Sequence, residues 1–215
     1  MSWWTRKDIA GSADGNSVKP LPEGSRERER LHTVSVILNG RQRHGVCEPR
    51  ELLSDFLRHS LGATGTHVGC EHGVCGACTI RIDGIASRAC LILALSIDGA
   101  RVDTVEGLAA AENTLNDLQQ AFQRHHALQC GFCTAGILMS ASDYLERMPD
   151  PSEADVREML SGHLCRCTGY TPIVTAVLDV AARRRNNGPS DLGESVAADD
   201  PCNDASVSQP EVRHA

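Results

Sequence analysis

The chain lacks the features that would direct it into or across a membrane. Its first fifteen residues contain no apolar run of signal-peptide length and no twin-arginine pair. No stretch approaches the roughly 18 consecutive apolar residues of a membrane span. We therefore expect a cytoplasmic protein without a membrane partner, in a compartment where thiols stay reduced.

Basic clusters and aromatic side chains are also scarce. The 215 residues carry a formal net charge of −7, with two lysines, two tryptophans, two tyrosines and three phenylalanines. Proteins that bind nucleic acid usually track the phosphate backbone with basic clusters, and many stack bases on aromatic rings. This composition therefore argues against a nucleic-acid partner, and aliphatic residues have to supply the core.

Cysteine, by contrast, is abundant, with ten residues in the chain. Disulfides are rare in a reducing compartment, so metal ligation is the leading explanation. Eight of the ten fall into two groups of four, which leaves Cys47 and Cys202. Cys47 lies in a strand pattern and is predicted to be a small core residue, and no role is predicted for Cys202.

The first group has the spacing C-x4-C-x2-C, followed by eleven residues and a fourth cysteine. It consists of Cys70, Cys75, Cys78 and Cys90. Plant-type [2Fe-2S] ferredoxins use this pattern. Four thiolates have to converge on one small cluster, and the glycines between these cysteines allow the loop to wrap tightly. Zinc is the alternative, but zinc sites usually pair C-x2-C with C-x2-C.

The second group has the spacing C-x2-C, then 31 residues, then C-x-C. It consists of Cys130, Cys133, Cys165 and Cys167. Both pairs precede a predicted helix start, where the helix dipole favours thiolates, and Arg166 would add positive charge beside them. By spacing alone this group fits either zinc or an iron–sulfur cluster.

Composition and periodicity divide the chain into four segments. They are a flexible arm over 1–30, a [2Fe-2S] ferredoxin domain over 31–105, a helical [2Fe-2S]-binding domain over 106–185 and an acidic tail over 186–215. An anchoring role on a partner is one interpretation of Trp3 and Trp4 in the arm, and an unstructured start is the other. The two central segments are expected to hold the folded structure.

Turn and cap residues predict the elements of these two domains. Asn39-Gly40 and Asp83-Gly84 predict two hairpins, Pro49 predicts a helix start, and a last strand is predicted near 100–105. The second domain is predicted to contain four helices. The predicted starts include Thr134 as a cap, Ser152 as the first residue of a capping box, and Thr171-Pro172.

Three segments of the chain resemble the iron–sulfur subunit of the molybdenum hydroxylases, the xanthine oxidase and carbon monoxide dehydrogenase family. These segments are 69–79, 129–134 and 160–170, and the resemblance covers about 31–182. It implies an α+β fold, with an N-terminal β-grasp plant-type ferredoxin domain followed by an all-α four-helix domain. It also implies that both groups of cysteines are ligands of [2Fe-2S] clusters.

The resemblance further implies an electron-transfer subunit of an oxidoreductase, with no catalytic residue of its own. Its two clusters would relay electrons from a large molybdopterin (Mo) subunit to a medium FAD-binding subunit, during water-dependent hydroxylation of a small heteroaromatic substrate. A dimer of heterotrimers is expected. Gln129 matches a family residue that hydrogen-bonds the pterin, and Cys167 matches the cluster ligand nearest to it.

Two residues depart from the family pattern. Ala135 stands where proline is usual, and His163 stands where asparagine is usual; we interpret His163 as a structural histidine. Two other hypotheses remain open. The chain could be a free-standing two-cluster ferredoxin-like electron carrier, or a structural module that binds zinc.

Overall fold

A computed structural model describes residues 31–109 and 114–187. The predicted arm with Trp3 and Trp4, and the predicted tail beyond 187 with Cys202, lie outside these residues. In the described ranges a mixed five-stranded sheet precedes four longer helices, which confirms the predicted α+β class. No helix in these ranges is long and apolar enough to span a membrane.

The sheet is built around two hairpins at the predicted turns. Its strands are β1 (His32–Leu38), β2 (Arg41–Cys47), β3 (Thr79–Ile82), β4 (Ile85–Arg88) and β5 (Arg101–Asp103). Their order is β2-β1-β5-β3-β4, and only the β1–β5 pair is parallel. Both residues of Asn39-Gly40 and of Asp83-Gly84 have positive φ, as a type I′ turn requires.

The edge strand β2 and its inner neighbour β1 differ in what they expose. β2 forms one edge of the sheet, and its residues 41–44, including Arg41 and Arg43, are exposed. β1 lies inside the sheet and buries Val34 and Val36 on its core face. The sheet therefore contributes one apolar face to the core and ends in a charged outer strand.

The helix predicted from Pro49 begins later than expected. The first helical turn, α1, is Leu53–Asp55, and it continues as one π-helical turn over Phe56–Ser60. Leu52 is held extended by an antiparallel bridge to Leu93, and the amide of Leu53 donates to the carbonyl of Ile92 at 2.7 Å. These contacts exclude a helical conformation before Leu53, so the predicted start was wrong.

Four longer helices follow the sheet. They are α2 (Asp117–Arg124), α3 (Thr134–Arg147), α4 (Glu153–Leu160) and α5 (Thr171–Asn187). The predicted capping box of Ser152 with Asp155 is confirmed. Thr134 is the first residue of α3 rather than its cap, because Cys133 occupies the N-cap position without a side-chain hydrogen bond.

Two apolar clusters correspond to the sheet and to the longer helices. Phe56 and Ile80 are fully buried in the first cluster, and Ile137 and Ile173 are fully buried in the second. Cys47 is buried in the first, as predicted. The sheet and the helices are in direct contact, because α3 packs on β3 and β4.

One ion pair joins the sheet to α3 away from the cysteines. The guanidinium of Arg81 on β3 donates to both carboxylate oxygens of Glu146, at 2.7 and 2.5 Å. Replacing Arg81 with glutamine should lower the free energy of unfolding by about 1 kcal/mol, with a smaller loss at high salt. Urea unfolding at two salt concentrations measures this.

The matched control is Arg157→Gln. Arg157 pairs with Glu153 inside one helix, and both side chains are exposed, so its loss should cost less than about 0.5 kcal/mol. Equal losses in the two variants would contradict a stabilising role for the pair between β3 and α3.

Candidate metal centres

The first group of cysteines comes together at one end of the sheet. Cys70 and Cys75 lie in the loop before β3, Cys78 directly precedes β3, and Cys90 lies in a 3₁₀ turn after β4. The amides of His72 and Cys75 donate to the sulfur of Cys70 at 3.3 and 3.4 Å, and the thiols of Cys78 and Cys70 both influence the pKa of Cys90. The fold therefore gathers all four sulfurs, which we call site 1.

Site 1 contains both an easily ionised thiol and a buried one. The backbone amide of Cys75, followed by that of His72, lowers the pKa of Cys70 to about 6. Burial raises the pKa of Cys90 to about 11. Amide donors to sulfur stabilise negative charge, so the loop is suited to an anionic ligand sulfur at Cys70.

The second group comes together between the longer helices. Cys130 and Cys133 directly precede α3, and Cys165 and Cys167 lie between α4 and α5. The sulfur of Cys167 is 3.6 Å from that of Cys130, and the thiols of Cys133 and Cys165 influence each other's pKa. These four sulfurs form site 2.

The buried and exposed sides of site 2 differ. Burial raises the pKa of Cys133 to about 12. Burial also tends to raise the pKa of Cys165, but hydrogen bonds with Thr168, Cys167 and Cys133 together outweigh it, so this pKa is lowered. Cys130 and Cys167 are exposed. Site 2 therefore has one edge at the protein surface.

Gln129 lies at this exposed edge. Its side-chain amide donates to the carbonyl of Cys167 at 3.1 Å. The two residues that the family resemblance places beside the pterin are thus neighbours on the surface of the described chain.

The donor sets fit a cluster better than a single ion. In the described ranges, no three or more His, Cys, Asp and Glu side chains are grouped to hold one metal ion. Four thiolates on one zinc would lie ~3.8 Å apart, given a Zn–S distance of about 2.3 Å. In a two-iron cluster only the two thiolates on the same iron are that close, and in site 2 the sulfurs of Cys130 and Cys167 form such a pair at 3.6 Å.

The two sites are in direct contact through their loops. The amide of Leu164, next to Cys165, donates to the carbonyl of Cys75 at 2.9 Å. The ring of His67 stacks on that of Phe132 with centroids 5.0 Å apart, and His67 Nδ1 donates to the Phe132 carbonyl at 2.8 Å. Residues that precede or separate the ligands therefore connect site 1 to site 2.

Several residues that hold these loops were not predicted from the sequence. The hydroxyl of Tyr170 accepts from the amide of Cys165 at 2.9 Å and donates to the carbonyl of His163 at 3.0 Å. Arg88, His67 and Phe132 also link the two loops. The hydrogen bonds from Arg88 to Gly162 and from His67 to Phe132 span 74 and 65 positions, so no spacing in the sequence indicated them.

His163 is a buried residue of this region. It is 2% exposed, and its Nε2 lies 2.7 Å from the hydroxyl of Ser140. Burial, followed by the charge of Arg88, lowers the pKa of His163 to about 4. The neutral, hydrogen-bonded ring agrees with its interpretation as a structural histidine.

Two family models match the regions that contain these sites. A 2Fe-2S iron-sulfur cluster binding domain matches residues 36–96, and a [2Fe-2S] binding domain matches residues 104–178. The first range contains all four cysteines of site 1, and the second contains all four of site 2. The chain is therefore an iron–sulfur protein with two [2Fe-2S] clusters.

Individual relatives show which kind of two-cluster iron–sulfur protein this chain resembles. The nicotine 6-hydroxylase small subunit of Paenarthrobacter nicotinovorans is 55% identical over 153 residues, 71% of this chain and 92% of the relative. The caffeine dehydrogenase subunit gamma of Pseudomonas sp. (strain CBB1) is 49% identical over 153 residues, 70% of this chain and 91% of the relative.

A solved structure agrees with these relatives. A chain of quinoline 2-oxidoreductase from Pseudomonas putida 86 is 51% identical and has a TM-score of 0.70, with 74% of this chain and 98% of that chain covered. The protein belongs to the family of small iron–sulfur subunits of molybdenum hydroxylases, which are oxidoreductases.

Proposed function

We propose that this chain relays electrons from a large molybdopterin subunit, through its two [2Fe-2S] clusters, to a medium FAD-binding subunit. The observation that carries the proposal is the 2.9 Å hydrogen bond from the Leu164 amide to the Cys75 carbonyl. It links the backbone of a site 1 ligand to the residue adjacent to Cys165 in site 2. A short hydrogen-bonded route between the two ligand loops suits a relay between two redox centres.

The eight grouped cysteines are the proposed ligands. Each bound [2Fe-2S] cluster accepts and releases one electron at a time. We propose that thiols which interact with each other would bind the same iron. These pairs would be Cys70 with Cys75 and Cys78 with Cys90 in site 1, and Cys130 with Cys167 and Cys133 with Cys165 in site 2. Amides and hydroxyls of this chain hold the ligand sulfurs in place.

The exposed edge of site 2 is proposed to face the molybdopterin subunit. Cys130 and Cys167 are exposed there, so a partner that covers this edge would bring its cofactor close to the cluster. Gln129, already oriented by the Cys167 carbonyl, is placed to hydrogen-bond a polar group of that partner. Site 1 is proposed to face the FAD subunit, and the complex is proposed to be a cytoplasmic dimer of heterotrimers.

The proposed substrate is a small N-heteroaromatic compound. The relatives are named for nicotine and caffeine, and the solved structure is named for quinoline. Replacing a ring C–H by C–OH with water as the oxygen source releases two electrons and two protons. These electrons have to leave one at a time through a chain such as this one.

The proposal also covers the fold of each of the two domains. We assign the sheet over 31–105 to a β-grasp ferredoxin domain and the four longer helices over 106–185 to a four-helix domain. The mixed sheet with a parallel β1–β5 pair and the two separate apolar clusters support this assignment.

Co-purification with anaerobic reduction tests the function. The full chain, isolated with its bound subunits, should contain molybdenum and flavin, and both cluster EPR signals should appear when nicotine, caffeine or quinoline is added. Dithionite serves as the positive control for reduction. A monomer free of flavin and molybdenum would favour the independent carrier instead, and zinc in place of iron would contradict the whole assignment.

Single cysteine substitutions test the ligand assignment. Cys78→Ser should abolish the site 1 signal, and Cys133→Ser should abolish the site 2 signal, because each cluster needs four thiolates. Wild type should contain four irons and four sulfides per chain, measured by chemical analysis beside EPR. Cys47→Ser is the matched control, since this buried thiol lies outside both sites and should leave both signals intact. Loss of a cluster in the control would overturn the assignment.

A further inference from the structure

Arg88 lies where the two cluster sites meet. It is the last residue of β4, two positions before Cys90. Its Nη1 donates to the hydroxyl of Thr79, and its Nη2 donates to the carbonyl of Gly162 at 2.7 Å. Thr79 directly follows Cys78, and Gly162 lies three residues before Cys165. One guanidinium therefore holds a segment of each site.

The hydrogen bonds continue into the loop of site 1. The hydroxyl of Thr79 donates to the carbonyl of Gly76 at 2.6 Å, and Gly76 lies between Cys75 and Cys78. A Cβ on Gly76 would lie 2.6 Å from the carbonyl oxygen of Gly162, so the two loops already touch. Gly162, Arg88, Thr79 and Gly76 thus form one hydrogen-bonded series across the junction.

Arg88 forms no ion pair with a carboxylate of residues 31–109 and 114–187. Its two hydrogen bonds go to neutral oxygens, and Asp143, which lines the same cavity, pairs with Arg147 instead. The adjacent His163 is buried and uncharged. Arg81 also lies where the sheet contacts the helices, but unlike Arg88 it forms an ion pair, with Glu146.

We propose that Arg88 is a positioning residue of the electron relay. Its two hydrogen bonds fix the spacing of the two ligand loops, and its uncompensated positive charge raises the reduction potential of the site 1 cluster. The inference rests on the proposed relay function. An added electron makes a cluster more negative, and a cation in a partly buried setting lowers the energy of that reduced form. On the site 1 side, Arg88 is two residues from the ligand Cys90 and bonds Thr79, which directly follows the ligand Cys78. On the site 2 side, its partner Gly162 is three residues from the ligand Cys165.

Two substitutions separate the charge from the hydrogen bonds. Arg88→Gln removes the charge, so the site 1 potential should fall relative to site 2. We expect the equilibrium for sharing one electron between the clusters to change about tenfold, which corresponds to 59 mV for a one-electron couple. Arg88→Lys keeps the charge but lacks the planar two-donor group. Its site 1 potential should stay near that of wild type, while the magnetic interaction between the two reduced clusters should change.

Redox titration followed by EPR measures both quantities in the full chain with its co-purifying subunits. Cys78→Ser and Cys133→Ser assign each signal to its site, and Arg81→Gln is the matched control with an expected unchanged potential. A site 1 potential in Arg88→Gln equal to that of the control would overturn the proposal. If Arg88→Gln does not retain its clusters, Arg88→Lys decides: a lowered site 1 potential there would overturn it, since the charge is still present.

The wild-type titration keeps this proposal separate from the relay function. Absence of two [2Fe-2S] signals in wild type would contradict the ligand assignment. Two normal wild-type signals with potentials that do not depend on residue 88 would contradict only the role of Arg88.

Discussion

Replacing Gly136 with alanine should destabilise the protein, although alanine is usually the better helix former by about 1 kcal/mol. Gly136 is the third residue of α3, and a Cβ there would overlap the carbonyl oxygen of Gly76 and lie 2.9 Å from that of Ala77. Both obstacles are backbone atoms of the site 1 loop. We expect a loss of about 1–3 kcal/mol or more, measured by urea unfolding of the cluster-loaded chain.

The matched control is Gly84→Ala in the β3–β4 turn. Gly84 has φ of +85°, so alanine is strained there, but no atom lies within 4 Å of its Cβ position. This substitution should cost only about 1–2 kcal/mol of backbone strain and leave both EPR signals unchanged. Gly136→Ala should also disturb the site 1 signal, because the loop that it displaces carries Cys75 and Cys78. A stabilised Gly136→Ala variant with wild-type signals would contradict the close packing of α3 on this loop.

Removal of both clusters should unfold most of the chain. The loop over 69–78 has no regular secondary structure, and the ligand segments of both sites depend on one another through Leu164 and Cys75. Structural zinc supplies about 10–16 kcal/mol to small metal-binding domains. A comparable contribution from iron would match the whole net stability of a typical domain, about 5–15 kcal/mol.

Circular dichroism and thermal unfolding of the same sample, before and after chelation under reducing conditions, measure this effect. The cluster-free chain should lose its cooperative transition and much of its helical signal. Reconstitution with ferrous iron and sulfide should restore both, which controls for irreversible damage. A cluster-free chain with a native spectrum and an unchanged transition would show that the two apolar clusters suffice for folding.

Local sequence signals predicted the elements of this fold well. Asn39-Gly40 and Asp83-Gly84 form the predicted turns, because positive φ at both positions is accessible to these residues. The capping box at Ser152 depends only on a residue three positions away. The spacing of the first cysteine group likewise indicated a [2Fe-2S] site. The spacing of the second group fitted either zinc or an iron–sulfur cluster, and the family models agree with the cluster that the family resemblance implied.

Contacts between distant segments were not predictable in the same way. The bridge between Leu52 and Leu93 delays α1, and these residues are 41 positions apart by their numbers. The hydrogen bond of Arg88 to Gly162 spans 74 positions. Neither pair of residues could be recognised from residue type or spacing, because only the folded chain brings the two partners together. The junction between the sites is therefore a product of tertiary structure.

The exposed edge strand β2 also affects whether two copies of this subunit associate. A strand at the edge of a sheet presents unpaired backbone N–H and C=O groups that can extend the sheet of a second molecule. Exposed Arg41 and Arg43 would bring like charges together if two β2 strands paired. Electrostatic repulsion thus disfavours self-association through this edge before the subunit binds its partners.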